Sequence, residues 1–345
     1  MDIASVFRKK AEDDPAMDEI RMERAEELHS ECLVIDGHQG TLLDVFKGVR
    51  KFEEESSAGH SDLPRLKQAQ VDCVILSAFP YDRLHPIRGV RQALEYIDVF
   101  HRLAKVPGLR QVLRTSDIED AREAGEVGIM LSLGDGAMLE GSLEALRMYH
   151  KLGVRMLTLT WNERNQLGDG AAFSVSRGGL TPFGFKVVKE AARLGMVIDV
   201  AHLSEAGFWD MLDVAQAPFV VSHANCHALL THPRNLTDAQ LKAIGEAGGL
   251  VGISFNHEYI TGTDEKATIS QVADHIIHAM EVAGEDSVGL GTDFDSFGEP
   301  GPDPVTHIGK LPLLTLELLK RGVTGQQIES LLGRNWMRVL RAVMG

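Results

Sequence analysis

The stretch FGFKVVKEAARLGMVIDVAHLSEAGFWDMLDVAQAPFVVSHA, residues 183–224, decides the fold. Its first dozen residues repeat apolar side chains at i, i+3 and i+4, the spacing of a helix with one buried stripe. Gly195 then stops the pattern, as a left-handed cap would. GMVIDVAH (195–202) is apolar without alternation, which suits a parallel strand covered on both faces. A second amphipathic stretch, AGFWDMLDVAQA (206–217), leads to another such run, PFVVSHA (218–224). Helix, strand, helix, strand is the repeating unit of a parallel α/β fold.

Working outward, the same alternation fills the chain. Further apolar runs are CLVIDGH (32–38), DCVILSAF (72–79), VGIMLSL (127–133), VRMLTLTW (154–161), GLVGISF (249–255) and SVGLGTDFD (287–295). Eight strand candidates separated by helices predict an α/β fold of the (β/α)8 TIM-barrel type, with an open doubly wound sheet as the alternative. Residues 1–30 are expected to form a helical extension and 31–345 a single barrel closed by a helix over 324–345. The charged stretch 40–66 reads as a loop over the first strand end.

Composition narrows the function. Lys and Arg total 35 against 50 Asp and Glu, a formal charge of −15. That balance argues against nucleic acid and anionic membrane as partners. No apolar run approaches the roughly 18 residues of a spanning helix, and the polar N-terminus lacks a secretory pattern. Three scattered cysteines, Cys32, Cys73 and Cys226, form no disulfide framework, so a cytoplasmic location is expected.

In a barrel the chemistry gathers at the C-terminal ends of the strands. Those ends carry Asp36 and His38, Ser77, Ser132 and Asp135, Thr160 and Trp161, Asp199 and His202, Ser222 and His223, Ser254 and Asn256, and Asp293 and Asp295. Three imidazoles from three strands, with aspartates beside them, point to a metal centre of the kind that takes Zn, Fe, Ni or Mn. A single histidine at a strand end is ordinarily a hydrogen-bonded structural residue, and His227, His232 and His257, beyond the strand ends, read as loop residues.

The blocks VIDGHQG (34–40), HSDLPRLKQAQVD (60–72), LRMYHKLGVRMLTLTWNERNQLGDG (146–170), GLTPFGFKVVKEAARLGMVIDVAHLSE (179–205), VVSHANCHALLTHPRNL (220–236) and VGLGTDFDS (288–296) together resemble the membrane (renal) dipeptidase family of zinc metallopeptidases, over about residues 30–340. The resemblance implies an amidohydrolase-like barrel, a two-zinc site, hydrolysis of dipeptides and a tendency to homodimers. It places His38 at the first-strand metal ligand, His202 and His223 at the histidines of the second metal, Asp293 at the aspartate that handles the catalytic proton, and Arg234 at the receiver of the substrate carboxylate.

Three positions depart from that pattern. Gly40 stands where the family has an aspartate ligand, Gly134 where it has a bridging glutamate, and Trp161 where it has a histidine. Two divalent ions 4 Å apart repel by about 16 kcal/mol at an effective dielectric of ~20. Without the two carboxylates, the expectation is one zinc ion or none, held by His38, His202 and His223. Asp135 and Asp44 are the candidate replacement ligands, and Trp161 is a candidate floor of the substrate pocket. Three readings compete: a dipeptidase-like metallohydrolase with a reduced metal shell, a metal-free acid–base enzyme (lyase or isomerase) acting on an amino-acid-like compound, and a non-catalytic homologue. Retention of His202, His223, Arg234 and Asp293 favours the first two.

Overall fold

The computed structural model describes residues 15–80, 89–263, 265–298 and 300–345. Nine strands lie among the described residues: β1 (Ile35–Gln39), β2 (Cys73–Ala78), β3 (Leu109–Gln111), β4 (Val127–Leu133), β5 (Val154–Thr158), β6 (Val197–Asp199), β7 (Val220–Ala224), β8 (Leu250–Ile253) and β9 (Val288–Leu290). All pairings between them are parallel, in the order β2-β1-β9-β8-β7-β6-β5-β4-β3, and a further β2–β4 ladder closes the barrel. The eight apolar runs are therefore the eight staves. The ninth strand, β3, pairs with the lower half of β4, at Val127–Ile129, beneath the level where β5 takes over at Leu131–Leu133.

Helices cover the outside. Pro182–Leu194 starts on a Thr181 side-chain cap with proline in its first turn and ends at Gly195, whose φ is 71°, the backbone region where glycine avoids a Cβ clash. The segment 40–66 is not a plain loop. It contains the short helices Leu42–Phe46 and Leu63–Gln68, the second capped by Asp62. The helix Pro15–Glu31 lies against Pro312–Lys320, joined by the Lys320–Asp18 ion pair and by His29. No helix among the described residues is long and apolar enough to cross a membrane.

Inside the barrel the floor is apolar. Ile35, Cys73, Ile75, Met130, Met156, Val197, Val220 and Leu250 pack with Trp336 in one buried cluster. Trp336 reaches in from the helix Asn335–Met344 and donates its indole N–H to Leu290 O at 2.8 Å. It fits only because 37 is glycine: a Cβ there would stand 1.8 Å from the indole ring. Two residues further along the strands the inward positions turn polar, as Ser77, Ser132, Thr158, Asp199 and Ser222. That change from apolar to polar marks the base of the mouth.

Candidate metal centre

Two strand ends bring His38 and His223 face to face, their rings stacked at 3.8 Å. His38 Nε2 is 3.7 Å from Asp293 Oδ1. Among the described residues, His38, His223 and Asp293 form a group whose ligand atoms all lie within 4.8 Å of one another, and all three are buried. His202, just past β6, joins them: its Nε2 is 2.8 Å from His223 Nε2. His38, His223 and Asp293 thus meet at one place, and His202 reaches them through His223.

Their surroundings define which nitrogens carry protons. Asp199 accepts from Ser222 N at 2.8 Å and from the hydroxyls of Ser222 and Thr158, each at 2.7 Å. With its proton given to Asp199, Ser222 Oγ accepts from His223 Nδ1 at 2.8 Å, which leaves His223 Nε2 as a lone pair. Asn162 presents its carbonyl oxygen to His202 Nδ1 at 2.7 Å, which leaves the His202 Nε2 as a lone pair too. Two lone pairs 2.8 Å apart repel unless a positive charge, a proton or a metal ion, is shared between them.

Burial acts in the same direction. It pushes the His38 imidazolium down to about 3, with Arg234 adding to the effect. The His223 imidazolium is also held well below its ordinary range by burial and by its neighbours His38, His202 and Arg234. Neutral imidazole is the form that binds a metal. Asp293 is shifted the other way, up to about 6, by burial, against hydrogen bonds from Ser296 and Asn256. Its Oδ2 accepts from Asn256 Nδ2 at 3.3 Å. Its Oδ1 and the His38 Nδ1 are buried without a hydrogen-bond partner among the described residues. Asp293 also holds a left-handed backbone, φ 61°, and so does Asp295, φ 66°, a conformation that costs non-glycine residues about 1 kcal/mol or more and persists where the surroundings enforce it.

The carboxylates around the imidazoles are largely engaged elsewhere. Asp135 caps the turn Gly136–Leu139 and accepts from Ala137 N at 2.8 Å and Asn165 Nδ2 at 2.7 Å. Asp44 pairs with Arg50 at 3.0 Å. Both carboxylates are thus already paired. Asp36 is saturated by Thr292 N, Thr292 Oγ1 and Gln39 Nε2, at 2.9, 2.6 and 2.7 Å. At Gly40 a Cβ would stand 2.6 Å from Ser296 Oγ and 2.8 Å from Asp295 O; at Gly134 it would stand 2.6 Å from Ser77 Oγ. The chain has closed over both places where further carboxylates would enter.

Arg234 is buried with its guanidinium donating to the main-chain oxygens of Ala201 and His223, the latter at 2.9 Å. It lies over the Tyr259 ring at 5.1 Å, and its Nε is buried without a partner among the described residues. It therefore ties the ends of β6 and β7 together beside the imidazoles. Trp161 lies 5.7 Å from the His202 ring and walls a cavity of about 180 Å³ shared with Phe79, Gln92, Asp135, Glu163 and Arg164. Sequence reasoning assigned no role to Asn162, and none to Arg50, His60 and Thr41, which pin Asp295. Asp295 accepts from the Thr41 hydroxyl, Arg50 and His60 N, each at 2.5 Å. Only the placing of Asp295 two residues after Asp293 hinted at it.

Comparison with known proteins supplies the remaining observations. A family profile for the membrane dipeptidases, peptidase family M19, matches residues 22–344. A Schizosaccharomyces pombe protein described as an uncharacterised dipeptidase is 34% identical over 349 residues, spanning 93% of this chain and 83% of its own. Among solved structures, the metallopeptidase dipeptidase AC superposes with a TM-score of 0.84 at 25% identity, over 91% of this chain and 99% of its own. A Rhodobacter sphaeroides metallopeptidase, liganded with a phosphinate mimic of the dipeptide L-Ala-D-Ala, superposes with a TM-score of 0.81 at 24% identity, over 90% and 99%.

Proposed function

This chain belongs to the membrane dipeptidase family, and from that premise we propose that it hydrolyses a dipeptide or similar small amide carrying a free carboxylate, at a centre that holds a single metal ion. The observation that carries the reading is the approach of His202 Nε2 to His223 Nε2 at 2.8 Å, with His38 and Asp293 beside His223. A bound zinc ion would act as a Lewis acid on the scissile carbonyl and lower the pKa of a water towards 7.

The chain's own groups do the rest. Asp293 Oδ1 takes the proton of the attacking water and passes it to the leaving amine nitrogen. Asn162 and the Asp199–Ser222 pair keep His202 and His223 in the tautomer that turns Nε2 into the site. Arg234 offers its unpartnered Nε edge to the substrate carboxylate, which sets the register of the amide against Asp293. Such an arrangement selects substrates with a free C-terminus.

The test compares L-Ala-D-Ala with its C-terminal amide. Zinc-loaded protein should cleave the free acid about 10- to 150-fold more efficiently in kcat/KM, since a charge-assisted bond is worth about 1.5–3 kcal/mol. Arg234→Lys should narrow that ratio, and Asp293→Asn should abolish turnover of both. Equal rates on acid and amide, or an Asp293→Asn variant that retains activity, would overturn the reading.

A further inference from the structure

The buried hydroxyls at the barrel mouth fall into two sets. Around Asp36 and Asp199, the hydroxyls of Thr292, Thr158 and Ser222 all have partners. On the side built by β2, β4 and the end of β5, the hydroxyls of Ser77, Ser132 and Thr160 are fully buried and have no hydrogen-bond partner among the described residues. Ser77 and Ser132 are register partners on adjacent parallel strands. Ser132 and residue 134 share one face of their strand, since side chains alternate. Ser77 Oγ lies 2.6 Å from where a Cβ on residue 134 would stand, so the hydroxyl takes up the volume that a longer side chain there would need.

We propose that Ser77 and Ser132 form a neutral hydrogen-bonding subsite for an electron-rich oxygen of the substrate, the carbonyl oxygen of the amide that is cleaved. This rests on the hydrolytic reading above and adds residues to it. Buried hydroxyls cost free energy when left unpaired, so their retention at adjacent strand ends calls for a ligand that completes them. The ligand is an acceptor oxygen and not an ammonium group, because Asp36 and Asp199 are engaged by inward donors and Asp135 by the backbone it caps, while Asp293 Oδ1 serves as the proton acceptor of the reaction. The strand that carries His38 pairs with the strand that carries Ser77, with Gln39 opposite Leu76. The cavity of about 180 Å³ opens at the same three strand ends, walled by Phe79, Asp135 and Trp161, and gives the adjoining substrate side chain a place. Two hydroxyl donors aimed at the carbonyl would support negative charge as it develops there, on the side where a second cation has no ligands.

The experiment measures binding of a phosphinate mimic of L-Ala-D-Ala by calorimetry, with metal content and hydrolysis followed on the same samples. In zinc-loaded Ser77→Ala/Ser132→Ala protein, affinity for the phosphinate should fall about 100-fold. The kcat should fall in parallel while KM changes less than about three-fold. Zinc content should stay as in the parent, and Ser77→Thr, which keeps the hydroxyl, should restore most of the affinity. Phosphinate affinity within two-fold of the parent in a folded double variant would overturn the subsite, meaning that the hydroxyls hold only water. Absence of phosphinate binding in the parent protein would overturn it as well. Hydroxyl-dependent phosphinate binding without any dipeptide hydrolysis would instead sustain the subsite and refute the reaction.

Discussion

At the residue scale the site depends on which ring nitrogen carries a proton. His223 Nε2 faces His202 because Ser222 occupies its Nδ1, and Ser222 is itself oriented by Asp199. Removing the hydroxyl should leave the ring free to take the other tautomer. Ser222→Ala is expected to weaken zinc affinity by about 10- to 100-fold, the usual effect of losing a partner behind a ligand. The fold should survive, since Ser222 N still donates to Asp199. Zinc competition with a chelating dye measures this, and unchanged affinity would show that the relay does not orient the ring. This level was half legible in the sequence. His38, His202 and His223 stood out because each ends an apolar run, and Asp293 was picked from the strand-end aspartates by the resemblance to the family. Asn162 and Ser222 did not, because their partners lie 40 residues away and one residue away, and only the closed barrel makes either pairing meaningful.

At the element scale the positions of the strand ends are set from below and from outside. Trp336 fills the floor under β1 and β9, and Gly37 is where the indole comes closest to β1. Gly37→Ala forces a methyl into the ring, and overpacking of this kind costs about 1–3 kcal/mol. His38 is the next residue, so the variant should lose zinc affinity along with stability. Denaturant unfolding with parallel metal analysis checks it, and a variant with parental stability would refute the packing. From outside, Asp295 anchors the segment 40–66 through Thr41, Arg50 and His60. The sequence pattern marked this segment only as charged and irregular, since its helices Leu42–Phe46 and Leu63–Gln68 are too short to display a period. The strand β3 escaped notice for the same reason: Leu109–Gln111 is three residues long, and two of them are only partly buried.

At the scale of the whole molecule the barrel was legible, because eight buried strands leave eight long apolar runs and the helices between them keep their period. What the pattern could not reveal is how the layers are fastened. His29 joins the helix Pro15–Glu31 to Ala69 O and Thr315 Oγ1, at 3.0 and 2.9 Å, and His275 accepts from Cys226 N at 3.1 Å. Burial lowers each of these imidazoles to about 4, below the 6.5 of an unfolded chain. Protons therefore bind the unfolded state more tightly. Stability is complete above about pH 6.5 and falls as the pH drops towards 4, by up to roughly 3 kcal/mol per histidine. Urea denaturation between pH 7.5 and 4.5 should follow that slope, and His29→Gln should flatten it by about one proton; a flat profile in the parent would contradict the burial of both rings. The central claim concerns the cation. Zinc titration of metal-stripped protein, followed by calorimetry, tests it most directly. One tightly bound ion per chain, lost in His223→Ala, is the expected result. Two ions per chain, or none, would contradict it.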